Sequence, residues 1–405
     1  MSNHLYRTLV VVGDGIYADI ATCYLAHQLR SVGVNVCRAR GFSSLEDQAA
    51  IKEFIDVDHS IHLLNEELAI PFAELMSAGT FIPRLITSCS FLEKSASFES
   101  YTSLKDDLPV PTYQVMARLI REGVAKHWES ASPLIALDRA GKFHPELHQF
   151  YRGNIRPYGG RINTQAYSQI LDAKSLLLGV EFLNASKFEV NSNCDEQHIS
   201  AVHLDSGEIL QDAFFIDMTQ ERCLIDFIDI PDVASAEQNG LGCSNEPWIG
   251  NCLAIGAAAM SFTTSAPVNF FEWLFRALVR FVDFYPSRAR QNSLAGEYNR
   301  LQKNNCVAVS DFLQTYHSCM SGNNRELLPE KLRHRVELFA ESCQLSEDAA
   351  DWAYPSYWPT LMIAAGINPQ QLPRRVQEIP LKYLKDWYSQ RLHNIDHLIS
   401  RSYNL

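Results

Sequence analysis

The opening of the chain constrains it most. Residues Thr8 to Val12 form a β-branched apolar run that stops at Gly13-Asp14-Gly15 and opens into Ile20 to Leu29, whose apolar residues recur at helical spacing. Gly33 closes that helix and Val34-Asn35-Val36-Cys37 starts a second strand, so a βαβ start is complete within the first 40 residues. Gly13-Asp14-Gly15-Ile16-Tyr17-Ala18 spells Gly-x-Gly-x-x-Ala between strand and helix. In such a turn the first glycine permits the tight bend, the second lets backbone approach a pyrophosphate, and the small third residue lets helix pack on strand. The helix N-terminus then faces the phosphates. Gly13, Asp14, Gly15 and Ala18 are therefore candidate dinucleotide-binding residues. The alternative is that the glycines only shape a turn in a Rossmann-like domain without its ligand. Where an acid would hold the adenosine ribose, the second strand ends in Arg38-Ala39-Arg40. A basic residue cannot accept the ribose hydroxyl protons, although Arg40 can meet a 2′-phosphate or stack on adenine. On these residues alone the cofactor stays open.

The chain has 405 residues, enough for more than one domain, with a formal net charge of −12 and a pI near 5.5. That balance argues against nucleic acid as partner and leaves a small molecule or another protein. The basic cluster Lys331, Arg333, His334 and Arg335 reads as a solvated helix face. Ten cysteines are scattered without a Cys-x-x-Cys pair, which reads as reduced, mostly buried thiols with no zinc site. No apolar run reaches membrane-spanning length and the N-terminus lacks a signal pattern, so a cytoplasmic location is expected.

Further along, residues 43–74 read as helical and acidic, and Thr80 to Phe98 as short strands. Helices are expected over 114–130 and from Asn163 to Leu178, the latter after a Pro157-Tyr158-Gly159-Gly160 loop. Glu181 to Val190 and His198 to Leu204 read as strands, with a hairpin turn at Asp205-Ser206-Gly207-Glu208. Ala213 to Asp217 has the continuous apolar texture of a buried parallel strand, and Cys252 to Ile255 repeats it before Gly256. An aromatic helix should run from Asn269 to Tyr285. The rest is helical, with breaks at Gly322, Pro329, Pro355, Pro359, Gly366 and Pro369 to Pro373, and a last core-packing stripe from Leu381 to Ile399. His144, Glu146 and His148 do not sit on a clean helix and make a poor metal set. Asp311, Tyr316 and His317 read as structural.

The order of segments resembles the flavin-dependent tryptophan halogenases. The resemblance rests on Gly13-x-Gly15, on Arg161-Ile162-Asn163-Thr164-Gln165-Ala166-Tyr167 with Leu171 and Gly179-Val180, and on Asp205 to Asp217. It continues through Trp248-Ile249-Gly250-Asn251-Cys252-Leu253-Ala254-Ile255-Gly256, Glu297-Tyr298-Asn299-Arg300 and Asp311-Phe312-Leu313, and covers about residues 5–320. It implies an α/β, Rossmann-like FAD-binding fold of the glutathione-reductase and aromatic-hydroxylase type, with an inserted substrate region and a helical C-terminal part. The implied division is an FAD-binding domain over 1–75 and 155–290, a substrate region over 76–154 and a helical region over 291–405. By position, Gly13, Gly15 and Ala18 would line the FAD pyrophosphate. Gly256, Ala258 and the helix expected to follow would approach the flavin end. Thr264 and Ser265 would either meet the flavin edge or cap a helix beginning near Pro267 and Val268.

The departures are specific. None of the six tryptophans falls in a Trp-x-Trp-x-Ile-Pro signature. The halogenase lysine that follows an Ala-Thr-Phe-like segment is replaced, since Gly79-Thr80-Phe81 runs into Ile82. The Glu-Pro-Leu-Glu-Ser-Thr-like stretch becomes Ser261-Phe262-Thr263-Thr264-Ser265-Ala266-Pro267, without a carboxylate, and the flavin loop after the second strand reads Gly41-Phe42-Ser43-Ser44. Electrophilic halogenation needs the lysine and benefits from the acid. Two readings follow. One is an FAD-dependent oxidoreductase or monooxygenase that acts on a small aromatic or apolar substrate, free or carrier-bound, with a flavin reductase or other protein partner. The other is a non-catalytic, halogenase-like scaffold that binds a partner and has lost flavin chemistry.

Overall fold

The computed structural model describes residues 5–42, 52–91, 94–98, 108–126, 133–141, 158–193, 197–219, 224–227, 241–244, 246–262, 269–286, 291–321, 325–346 and 357–401. In chain order the elements begin with β1 (Thr8–Val12), α1 (Ile16–Leu29), β2 (Asn35–Arg40), β3 (Phe54–Val57), α2 (Ser60–Glu67), α3 (Phe72–Ser77) and β4 (Phe81–Arg84). Next come β5 (Thr87–Phe91), β6 (Lys94–Phe98), α4 (Thr112–Arg121), α5 (Pro133–Arg139), β7 (Gly159–Asn163), α6 (Thr164–Leu177), β8 (Glu181–Asn184), β9 (Phe188–Asn193), β10 (His198–Leu204), β11 (Ile209–Gln211) and β12 (Ala213–Asp217). The chain continues with β13 (Leu241–Cys243), β14 (Trp248–Ile249), β15 (Cys252–Ala254), β16 (Met260–Phe262), α7 (Phe270–Asp283), α8 (Gln291–Ser321), α9 (Glu330–Ser342), α10 (Tyr357–Ala364), α11 (Arg374–Gln377) and α12 (Leu381–Arg401). They form two compact units, one of Met1–Ile82, Arg161–Thr264 and Asn269–Cys306, the other of Pro83–Gly160, Ser265–Val268 and Val307–Leu405.

The first unit is built on a six-stranded sheet ordered β14-β15-β12-β1-β2-β8. Every neighbouring pair is parallel except β14 with β15. Strand β1 lies inside the sheet between β12 and β2, and Leu9 to Val12 are all apolar and buried, so both of its faces are covered and alternation is lost. The expectation for Ala213 to Asp217 holds for the same reason, with all five residues buried. Helix α7 supplies an aromatic face. Phe275 meets Tyr24 of α1 at 5.3 Å, while Phe281 packs tilted against Phe214 at 5.3 Å and edge-on against Trp248 at 5.7 Å. The antiparallel β9, β10 and β11 form a second sheet, joined by the expected turn at Asp205–Glu208, where the Leu204 amide donates to the Glu208 carbonyl at 2.9 Å.

Several expectations change. Within 43–74 the chain makes β3 and two short helices instead of one helical stretch, because Phe54-Ile55-Asp56-Val57 alternates in burial as a strand does, while residues 43–51 lie outside the described residues. Gly159 and Gly160 start strand β7 instead of a loop.

In the second unit, α4 ends at Arg121 because Gly123 takes φ +69° and its neighbours fold back, Val124 donating to Leu119. Leu108, Val115, Leu119, Val376, Leu384 and Tyr388 make its core, and Arg118 reaches the Val376 and Ile379 carbonyls to tie α4 to the turn before α12. Pro359 does not break a helix; it lies in the first turn of α10, where its missing N–H costs nothing. Gly366, at φ +80°, ends that helix. Of the basic cluster, Lys331 pairs with Asp311 at 3.3 Å, but Arg335 is 2% exposed, lies 4.2 Å over the Trp358 ring and donates to Ser346 at 3.1 Å. The solvated reading fails there because Arg335 lies on the same face of α9 as Leu332, Val336 and Phe339. Tyr316 is fully buried, and His317 is held below the usual histidine range by burial. His144, Glu146 and His148 lie outside the described residues.

Candidate functional site

The parallel register brings four strand ends into line. Val12 pairs with Ala39 on one side and Asp217 on the other, and Asp217 pairs with Ala254. The loops after β1, β2, β12 and β15 therefore rise together at the carboxyl edge of the sheet, where doubly wound folds place their ligands.

In the first loop the two glycines do different work. Gly13 takes φ +135° and donates to the Ala39 carbonyl at 3.2 Å. A Cβ on it would stand 2.9 Å from the Met218 carbonyl carbon and oxygen. Met218 in turn donates to the Val12 carbonyl at 2.8 Å, so Gly13 serves the close packing of two strand ends. Gly15 takes φ +82° with nothing within 4 Å of its missing Cβ. Its carbonyl accepts from Ala18 and Asp19, both at 3.1 Å, to start α1, and no side chain caps that helix. The first-turn amides and the open face of Gly15 thus form a backbone surface of the kind that accepts an anion. Ala18 is 1% exposed and lets α1 approach the sheet.

Asp14 turns toward the end of β2. Its carboxylate accepts from the Gly41 amide at 2.9 Å and the Phe42 amide at 2.7 Å, linking the first two loops. Phe42 packs edge-on against Phe188 at 5.1 Å. Arg40 is brought to a different place from the glycine turn. It makes a bidentate pair with Asp172 of α6, at 3.0 and 2.7 Å, and lies 3.8 Å over the Phe182 ring. Strand alternation puts Arg38 on the same face. Arg38, 1% exposed, donates to Thr22 at 3.2 Å and pairs with Asp19 at 3.3 Å, while Asp19 accepts from Ser168 at 2.8 Å. Burial lowers the Arg38 guanidinium to about 10 and raises the Asp19 carboxyl, each opposed by the other's charge. This network answers a buried guanidinium and a part-buried carboxylate with each other and with hydroxyls.

On the other side, Asp217 is fully buried and accepts from the Thr219 amide and hydroxyl and from the Leu224 and Ile225 amides, at 2.6 to 3.1 Å. Burial pushes its carboxyl up, against those four donors. Gly256 takes φ +69°, and a Cβ there would stand 3.1 Å from the Met218 Cε. Met218 thus touches both Gly13 and Gly256. Residues Gly256–Ala258 form one 3-10 turn, Ala258 is 2% exposed, and the chain enters β16 instead of the helix expected directly after Gly256. That helix is α7, and its N-cap is Asn269, whose side chain accepts from Phe271 at 3.0 Å and Glu272 at 3.3 Å. The cap expected from Thr264 or Ser265 is therefore made by Asn269, five and four residues later; Thr264 and Ser265 themselves lie outside the described residues. At the place of the halogenase lysine, Phe81 is buried against Phe72 at 4.6 Å and Ile82 is an exposed apolar side chain.

The motifs that carried the resemblance are mostly structural. Gly250 cannot be replaced, since a Cβ would stand 1.7 Å from the Gln197 carbonyl oxygen. Asn251 is fully buried and clamps β10 to β12, accepting from the Ile199 amide and donating to the Ile199 and Ala213 carbonyls at 2.8 to 3.0 Å. Asn299 holds both the amide and carbonyl of Trp248, at 3.0 and 2.9 Å, and Tyr298 packs on the Trp248 ring. Tyr167 donates to Asn65 at 2.7 Å. Sequence reasoning missed Met218, because an apolar residue after a buried strand carries no signal until the strands are placed.

An FAD would be held by the backbone of the first loop: Gly15 and the amides of α1 fit a pyrophosphate. The fit is less open at Gly256, where Met218 already occupies the approach. Among the described residues no helix is long and apolar enough to cross a membrane, and no three acidic, histidine or cysteine side chains gather as a metal set.

The tryptophan halogenase family model matches residues 237–380. No curated protein matches the sequence. Solved structures with the same fold include BrvH, a flavin-dependent halogenase from Brevundimonas sp. BAL3, with 15% identity, coverage of 99% of this chain and 98% of that one, and a TM-score of 0.83. Xcc4156, a flavin-dependent halogenase from Xanthomonas campestris, gives 15% identity, 98% and 96% coverage and a TM-score of 0.80. SttH, a tryptophan 6-halogenase from Streptomyces toxytricini, gives 14% identity, 97% coverage of each chain and a TM-score of 0.80. The family resemblance and the expected α/β fold with a helical C-terminal part are thus supported by the family model in one stretch and by the fold along nearly the whole chain.

Proposed function

We propose that this chain is an FAD-dependent oxidoreductase or monooxygenase of halogenase-like fold that does not itself halogenate. One observation carries the reading: the backbone surface of Gly15 and the uncapped first turn of α1, open at the carboxyl end of a central parallel strand. Gly13, Asp14, Gly15 and Ala18 form the phosphate end of this proposed site. Arg40 is the proposed adenosine-side residue and Gly256 and Ala258 the proposed flavin-side ones, together with Thr264 and Ser265, which lie outside the described residues. When bound, FAD supplies the redox chemistry. The protein's residues fix its position: Asp14 holds the β2 loop beside the turn. The substrate is a small aromatic or apolar molecule, free or carrier-bound, and a flavin reductase is the proposed partner, with the cytoplasm as the place. The region 76–154 is the proposed substrate region.

Halogenation is set aside because Ile82 offers no ammonium at the lysine position and 261–267 carries no carboxylate. The test is anaerobic titration with oxidised and reduced FAD, followed by turnover with reduced flavin, oxygen, bromide and indole. Micromolar binding without brominated indole is expected. Brominated product overturns the non-halogenating part, and no binding of either flavin overturns the enzyme.

The second reading, a partner-binding scaffold, is favoured by Met218 at Gly256 and by Asp14 already engaging the Gly41 and Phe42 amides. It gains if flavin does not bind at any concentration tested.

A further inference from the structure

We propose that Asp172, held by Arg40, accepts the ribose hydroxyls of an adenine dinucleotide and turns away a 2′-phosphate, an inference that rests on the FAD-binding reading and names the residue that sorts its adenosine end. Strand β2 ends in Arg40, where dinucleotide-binding folds place an acid. Helix α6 supplies one instead. Asp172 stands across the strand end and takes two N–H groups from the Arg40 guanidinium, one on each carboxylate oxygen, at 3.0 and 2.7 Å. An ionised carboxylate offers about four lone-pair positions, so both oxygens keep room for a further donor. The two arginine–aspartate pairs on this face of β2 differ in access. The Arg38 and Asp19 side chains are sealed, 1% and 11% exposed, whereas those of Arg40 and Asp172 are 27% and 36% exposed. The first pair joins β2 to α1; the second reaches solvent at the carboxyl end of the strand.

Backbone and ring contacts fix the open pair in place. Val12 is level with Ala39, so Arg40 lies one residue beyond the end of β1. Gly13 donates to the Ala39 carbonyl at 3.2 Å and Ala185 donates to the Arg40 carbonyl at 2.8 Å, holding the strand end from both sides. The Phe182 ring lies 3.8 Å from the guanidinium carbon and sets the plane of the group. Asp172 is one helical turn beyond Ser168, which donates to Asp19 in the first turn of α1, and the Asp19 amide donates to the Gly15 carbonyl. A line of contacts therefore leads from the Gly15 turn to the Asp172 helix, all within the first unit. Recognition then follows from charge. A ribose 2′- or 3′-hydroxyl donates to the carboxylate in a charge-assisted bond. A 2′-phosphate brings a second anion against Asp172 and has to draw Arg40 out of a bidentate pair. An arginine alone at this strand end would favour a 2′-phosphate; the carboxylate facing it reverses that preference.

The test uses ligands without a flavin, so it reads the adenosine end directly. ADP-ribose, 2′-deoxy-ADP-ribose and 2′-phospho-ADP-ribose, which share one pyrophosphate, are titrated calorimetrically into the full-length wild type and Asp172→Ala, with FAD alongside. The wild type is expected to bind ADP-ribose at least about tenfold more tightly than either altered form. In Asp172→Ala the ADP-ribose affinity should fall about tenfold to meet that of the 2′-deoxy form, while the 2′-phosphorylated form gains because Arg40 is released. Equal wild-type affinity for ADP-ribose and its 2′-phosphorylated form, or wild-type ratios among the three ligands retained in Asp172→Ala, overturns the proposal and leaves the cofactor reading standing where FAD binds. Absence of ADP-ribose binding overturns it as well, and if FAD also fails to bind, the cofactor reading falls with it. The wild-type series decides the preference even where the variant folds poorly.

Discussion

The two glycine turns at the carboxyl edge of the sheet look alike in sequence and differ in space. Each follows a buried apolar strand, β1 in one case and β15 in the other. The turn after β1 passes straight into a helix, leaving Gly15 with open space. The turn after β15 makes a single 3-10 turn and enters a ribbon, with Gly256 covered by the Met218 methyl. Met218 comes from neither turn; it follows β12, between them in the sheet. A glycine that faces a neighbouring strand end serves packing, and a glycine that faces open space is available to a ligand. The same division separates Gly13 from Gly15 within one motif.

The largest effect expected from breaking this arrangement is at Gly13. Gly13→Ala pushes a methyl into the Met218 backbone at a positive φ, and should cost about 4 kcal/mol, read as a lower urea midpoint with or without flavin. Met218→Ala comes next, with about 3 kcal/mol lost to the cavity, and should bind FAD more tightly because the approach to Gly256 opens. Weaker binding there would place Met218 in the cradle and erase the contrast between the two turns. Gly15→Ala should cost only about 2 kcal/mol of backbone strain, since nothing crowds its Cβ, yet weaken FAD at least about tenfold in the same titration. If Gly13→Ala and Gly15→Ala lose stability and affinity in equal measure, the division of labour is wrong.

The helices after the two turns extend the comparison, because each carries an acid in its first turn, part-buried in α1 and buried in α7. Asp19 of α1 is answered by the buried Arg38, whereas Glu272 of α7 is answered by the half-exposed Arg276, with Asp58 nearby. Burial pushes the Glu272 carboxyl up to about 7, Arg276 opposing and Asp58 adding to the shift. The raised value means that the folded chain holds this proton more tightly than the unfolded one. The stability this contributes is complete below the unfolded value of 4.5 and is lost as pH rises through about 7. Glu272→Gln should therefore flatten the pH dependence of unfolding between about pH 4.5 and 7 and exceed the wild type by about 1 kcal/mol at pH 8, measured by urea denaturation. An unchanged slope would show that Glu272 is already ionised there.

Much of the site was legible beforehand. The β1 turn announced itself because strand, glycine and helix signals are local and adjacent, and the textures of β12 and β15 followed from burial on both faces. Arg40 was placed at the end of the right strand, but its partner Asp172 lies far away on α6, and only packing shows that the guanidinium faces that helix. Asp14 was included for its place in the motif; that it holds the Gly41 and Phe42 amides depends on the distance between two loops. The helix expected after Gly256 failed because glycine and small residues mark a turn without telling whether helix or strand follows.

The sequence by itself determined the parallel αβ frame, the glycine turn between its first strand and first helix and the residues absent from the halogenase pattern, since each depends on side-chain type, local φ preference or periodicity. Only the tertiary structure decided which glycine faces a strand and which faces open space, and where Arg38 and Arg40 spend their charge. Those outcomes depend on contacts between segments distant in the chain, and pairwise distance in space is not encoded in any local pattern.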